Sequence, residues 1–166
     1  MSKQSLPIMT TVCVSLLLSA CAHFAPPSFQ VYYPIQLPPE PQQPSQIAFT
    51  VRIPHTDTYS PYLMLQAHNV QERTAMRTQL KAQLENSAKV SVYDAQTQHL
   101  IMTSTHAPTL RFYDPVQHDI GLMLTPTYFQ LKPGTYTVKI SLSGDYRMLP
   151  ADINPRISLT NWYQAQ

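Results

Sequence analysis

Apolar and polar residues alternate with a period of two in run after run of this chain, a pattern that belongs to half-buried antiparallel strands. Gln46 to Ile53 sets Ile47, Phe49, Val51 and Ile53 on one face. Over 30–37, Val31, Tyr33, Ile35 and Leu37 alternate with polar residues and Pro34, as an edge strand allows. Tyr59 to Gln66 follows 46–53 across Pro54-His55-Thr56-Asp57-Thr58, so these two runs read as a hairpin. Ala88 to Tyr93 and His99 to Thr105 flank Asp94 to Gln98 and read as a second hairpin. Leu110 and Phe112, an apolar stretch from Ile120 to Leu131 broken by Pro126, and Asn154 to Tyr163 supply the rest. About seven or eight strands joined by turns predict a mainly β protein, a two-sheet antiparallel sandwich.

One segment changes period. Asn69-x-x-Glu72 has the form of a capping box, in which each side chain satisfies a free backbone N–H of the first helical turn. Helix formers dominate from Val70 to Asn86, and Met76, Leu80 and Leu84 recur every fourth residue. That narrow stripe predicts one inserted helix over 70–86, docked along a single side. Its polar surface carries Arg73, Arg77 and Lys81, a possible partner face.

Leu131-Lys132-Pro133-Gly134-Thr135-Tyr136 is the sharpest turn signature, with Gly134 expected to supply a positive φ. Leu131 before the turn and Tyr136 after it resemble the corner by which immunoglobulin-like sandwiches pin one sheet to the other. The order of pieces also resembles a family of Gram-negative lipoproteins of unknown function. Ile35-Gln36-Leu37-Pro38, Gln46-Ile47-Ala48-Phe49, Tyr62-Leu63-Met64-Leu65 and the 131–136 turn with Val138 carry that resemblance. It spans most of residues 30–160, implies an immunoglobulin-like sandwich and brings no catalytic residue with it.

The N-terminus says where such a domain would work. Lys3 precedes an apolar run from Pro7 to Ala20, too short to span about 30 Å of hydrocarbon, which needs roughly 20 residues. It closes on Leu18-Ser19-Ala20-Cys21, which resembles the bacterial lipoprotein signal. The resemblance implies a signal peptide over 1–20, acyl chains on Cys21, a flexible stem over 21–29 and the sandwich domain over 30–166. Ala22 implies sorting to the outer membrane, on its periplasmic face. Cys13 would leave with the signal and Cys21 would carry lipid, so no disulfide is expected in the domain.

Composition narrows the chemistry. Charged residues make up 12% of the chain, against about a quarter in an average domain. Basic residues are scattered, which argues against a nucleic-acid partner. The three glycines fit no phosphate-binding loop, and no nucleophile elbow can be written. His99, His106 and His118 with Asp114 and Asp119 are the one group close enough in sequence to weigh as a metal site, and they read as loop and strand-end residues. No catalytic residue, metal or cofactor is therefore assigned. Tyrosine, with ten copies, is the residue best suited to a binding surface, and Tyr32, Tyr33, Tyr59, Tyr62, Tyr128, Tyr146 and Tyr163 are the candidates. The expectation is a non-enzymatic module that binds a protein, as an immunity protein against an antibacterial effector or as an envelope or secretion-complex component. The alternative is a small periplasmic hydrolase or metal-dependent enzyme with a site built from loops.

Overall fold

The computed structural model describes residues 28–82, 86–113 and 119–161. The expected signal sequence, Cys21 and most of the expected stem lie outside these residues. Ten strands and one helix follow in order: β1 (Gln30–Pro34), β2 (Ser45–Ile53), β3 (Asp57–Gln66), α1 (Val70–Ala82), β4 (Ser87–Asp94), β5 (Leu100–His106), β6 (Thr109–Tyr113), β7 (Asp119–Met123), β8 (Phe129–Leu131), β9 (Gly134–Ser143) and β10 (Arg156–Asn161). Sheet I has the order β1-β10-β3-β7-β6, with β8 paired to the start of β3; sheet II is β2-β9-β4-β5. Every pairing is antiparallel.

The two sheets face each other across one apolar core, so the chain is a mainly β sandwich with an inserted helix. Sheet II supplies Val51, Ile53, Val90, Val92, Val138 and Ile140; sheet I supplies Leu63, Leu65, Ile120, Leu122, Ile157 and Leu159. Strands β2 and β9 of sheet II bury one side only, as alternation requires. The central strands of sheet I are buried on both. Across its outer face Tyr62 shares a hydrogen bond with the Tyr128 hydroxyl at 2.7 Å, and Ser60 shares one with Thr125 at 2.9 Å. The segment carrying Pro126 thus splits the apolar run into β7 and β8 and folds back over β3.

The expected hairpin between 46–53 and 59–66 does not form. β2 pairs with β9 in sheet II, while β3 pairs with β10, β7 and β8 in sheet I. Pro54 to Thr56 carries the chain from one sheet to the other. A proline-containing polar turn serves either purpose, because what it does locally is end a ladder by withholding an N–H. Pro108 between β5 and β6 and Pro133 between β8 and β9 stand at two further crossings. The second expected hairpin is present, β4 against β5. The Asp94 carboxylate accepts from the Gln96 and Thr97 amides and the Thr97 hydroxyl, and Gln98 takes the left-handed φ of 56° that closes the turn.

Two further expectations are corrected. Gly134 does not adopt a positive φ; it is the first residue of β9, and a Cβ there would lie 3.3 Å from the Tyr136 ring. The positive-φ glycine is Gly144, at 129°, just past β9, where a side chain would collide with Asn86. Strand β1 ends at Pro34 rather than 37, although the Ile35 amide still bonds the Pro155 carbonyl at 3.2 Å.

The helix is described from Val70 to Ala82, so Leu84 lies outside the described residues. Asn69 Oδ1 accepts the Glu72 amide at 2.9 Å, as the capping box predicts. Glu72 reaches one residue further back than expected and accepts the His68 amide at 2.6 Å. Met76 is buried and Leu80 partly buried against the core.

Candidate functional site

The basic helix row breaks up. Arg73 is only 8% exposed, so it is not part of an open face. It stands three residues before Met76 and seven before Leu80, on the docked side, and a long arginine stem can lie along apolar surface. Arg77 is exposed, and the side chain of Lys81 lies outside the described residues.

The tyrosines divide by burial. Tyr59, Tyr62 and Tyr146 are core residues, and Tyr33 stacks on Phe49 with ring centroids 3.8 Å apart. Burial pushes the Tyr59 and Tyr146 hydroxyls up to about 12, with nearby Asp57 and Tyr136 adding to the rise at Tyr59. Tyr32 is exposed and has the Arg156 guanidinium 5.0 Å from its ring centre. Tyr163 lies outside the described residues. Tyr136 donates its hydroxyl to the Lys132 carbonyl at 3.0 Å, the corner its sequence suggested. Leu131 is buried in the core.

Of the residues weighed as a metal cluster, Asp114 and His118 lie outside the described residues, and His99, His106 and Asp119 do not converge. His99 and His106 sit at opposite ends of β5, roughly 20 Å apart at the rise of an extended strand. Asp119 is buried in sheet I, 3.6 Å from Arg156. A different trio does come together: His68, Glu72 and Asp152 bring one ligand atom each within 4.8 Å of one another. His68 Nδ1 lies 2.9 Å from Glu72 and Nε2 3.6 Å from Asp152. Its two nitrogens address different carboxylates, so the group ties the start of α1 to the turn before β10. His68-x-x-x-Glu72 was legible as a helical i, i+4 pair; Asp152, eighty positions on, was not.

The outer face of sheet II remains, and the strand register builds it row by row. Gln46, Ser141, Lys89 and Thr105 form one row; Ala48, Lys139, Ser91 and Thr103 form the next. Thr50, Thr137 and Tyr93 follow, then Arg52 and Thr135. A recess of about 290 Å³ opens over Ala48 and Ser91, where two small side chains lie between longer neighbours. Lys89, Lys139 and Tyr93 wall it, with Lys139 Nζ 5.0 Å from the centre of the Tyr93 ring. That contact holds an ammonium over the depression. The face is rich in hydroxyls and cationic through Arg52, Lys89 and Lys139.

No family model and no curated protein matches this chain. Its fold is similar to the crystal structure of GEBA250068378 from Sulfurospirillum deleyianum, with a TM-score of 0.50 and 12% identity over 82% of this chain and 98% of that one. At so low an identity the likeness speaks for fold alone.

Proposed function

We propose that this chain is an exported lipoprotein, held by acyl chains on Cys21 at the periplasmic face of the outer membrane, whose immunoglobulin-like sandwich binds a protein partner without catalysing a reaction. The leader ending Leu18-Ser19-Ala20-Cys21 supports the export and the anchor. The tyrosine corner at Tyr136 supports the immunoglobulin-like reading. The observation that carries the binding role is the open outer face of sheet II, a hydroxyl-rich surface with three cations and a walled recess. Inhibition of an antibacterial effector and a place in an envelope or secretion complex are two forms of this role.

A photo-crosslinking residue at Thr137, in the middle of that face, tests it in intact cells. It should yield a discrete protein adduct that the same residue at Arg77, on the exposed side of α1, does not. Adducts from Arg77 alone would move the binding surface to the helix. Cys21→Ala should release the protein into the soluble periplasm; fractionation with membranes as before would remove the anchor.

The metal-dependent alternative has one observation behind it, the His68, Glu72 and Asp152 trio. Loss of the cellular phenotype in His68→Gln, in a protein that still melts as the parent does, would favour that reading over a binding module.

A further inference from the structure

We propose that the recess over Ala48 and Ser91 receives a carboxylate-rich stretch of the partner polypeptide, with Lys89 and Lys139 as its charge contacts and Tyr93 as its apolar wall. This rests on the binding-module reading and names the chemistry the partner brings.

Charge segregation points to an acidic partner. The acids among the described residues are Glu40, Asp57, Glu72, Asp94, Asp119, Asp145 and Asp152, and none projects from the outer rows of sheet II. Most are already engaged. Asp145 and Glu40 meet Arg147, Asp119 meets Arg156, Glu72 and Asp152 meet His68, and Asp57 accepts from Asn161. Asp94 lies in the turn at the end of the face, with its carboxylate committed to the turn amides and to Thr97. Arg52, Lys89 and Lys139 have no carboxylate within 4.0 Å among the described residues. Cations gathered on one face without carboxylate partners raise the local concentration of an anionic surface and fix its orientation on arrival.

The shape selects a polypeptide. Lys89 and Lys139 stand on adjacent strands in adjacent rows, Lys139 between Ala48 and Ser91 and Lys89 beside Ser141 in the next row. Gln46, Ser141, Thr50, Thr137 and Thr103 surround them with donors and acceptors suited to backbone amides and carboxylates. A membrane surface would present phosphates but no such amide pattern. Tyr93 adds a face on which the aliphatic part of a glutamate or its neighbour can rest.

A fluorescent deca-glutamate peptide is the probe, titrated against the full-length chain carrying Cys21→Ala. Saturable binding is expected, weakening as salt rises. Lys89→Glu with Lys139→Glu should weaken it at least tenfold. Tyr93→Ser should weaken it several-fold with no change in net charge, and Arg77→Glu should leave it within twofold. Absence of saturable binding overturns the proposal, as does an equal loss with Arg77→Glu, which would reduce the effect to net charge. Phosphatidylglycerol vesicles form the second arm: a preference for vesicles over peptide, abolished by the double lysine variant, assigns the face to lipid and also overturns it. If Thr137 crosslinks a protein in cells while the peptide fails to bind, the binding module stands and only the acidic chemistry falls.

Discussion

The hydroxyls of Tyr59 and Tyr136 make the same bond, each donating at 3.0 Å to the carbonyl four residues upstream, that of His55 and that of Lys132. The two residues follow two crossings that run side by side in opposite directions. Ile53 pairs with Gly134 in sheet II, and Asp57 pairs with Leu131 in sheet I. A two-stranded ribbon therefore passes from one sheet to the other, and each of its strands is pinned at the bend by its own tyrosine.

Both pins should be measurable. Tyr59→Phe and Tyr136→Phe each remove one donor and leave a carbonyl to find another, at a net cost of about 1 kcal/mol. Tyr59 is fully buried and Tyr136 is 8% exposed, so the Tyr59 variant should lose more, because less water reaches the space its hydroxyl vacates. Urea unfolding of the two variants checks the order. Equal midpoints to the parent in both would mean that the corners are decorative.

The two glycines should separate cleanly. Gly144→Ala forces a side chain into a left-handed backbone and against Asn86, and should cost about 1–3 kcal/mol. Gly134→Ala asks only that the Tyr136 ring give way from 3.3 Å, and should cost less. A larger loss at Gly134 in thermal melts would reverse this ranking.

High pH should unfold the protein before its core tyrosines ionise freely. Burial raises Tyr59 and Tyr146 to about 12 from an ordinary 10, and Tyr62 is also raised, by burial and then by its bond to Tyr128. A raised folded value contributes stability that is complete below pH 10 and is lost as pH climbs through 12. Ultraviolet titration should therefore show a late tyrosinate step that coincides with loss of β circular dichroism. A single smooth step near pH 10 in folded protein would contradict it.

Low pH addresses a surface pair. Asp145 is held down to about 2 from 3.8, chiefly by the hydrogen bond from the Arg147 guanidinium and then by its amide. A depressed carboxyl contributes above its unfolded value and loses that contribution as pH falls through the folded one. Carboxyl NMR should place the Asp145 midpoint near 2, and Arg147→Gln should move it up toward 3.8. An unmoved midpoint would assign the depression to another source.

Sequence periodicity revealed the strands because each one's alternation is written in its own residues. Pairing was another matter. Pro54 to Thr58 looks like a hairpin turn and is a sheet crossing, since the same residues break a ladder in either role. What decides is the match of β2 to β9, more than eighty positions away. Tyr136 was readable as a corner because Pro133-Gly134 frames it; Tyr59, its counterpart, lacks that frame. Arg73 reads as part of an open face because arginine is usually solvated, yet it shares the buried side of the helix with Met76. The recess of sheet II was invisible for a stricter reason: Lys89 and Lys139 become neighbours only once β4 and β9 have paired.

The clasp between the ends of the domain has a consequence in time. β1 stands at the margin of sheet I with β10 alone beside it, Gln30 against Thr160, and Phe29 and Asn161 exchange bonds through amide, carbonyl and side chain. In a chain made or exported N-terminus first, the strand that emerges earliest must wait for the one that emerges last. At about 5–20 residues per second of synthesis, that wait is on the order of ten seconds. Throughout it, the residues of β1 have no ladder to join while the sheets behind them are still being assembled.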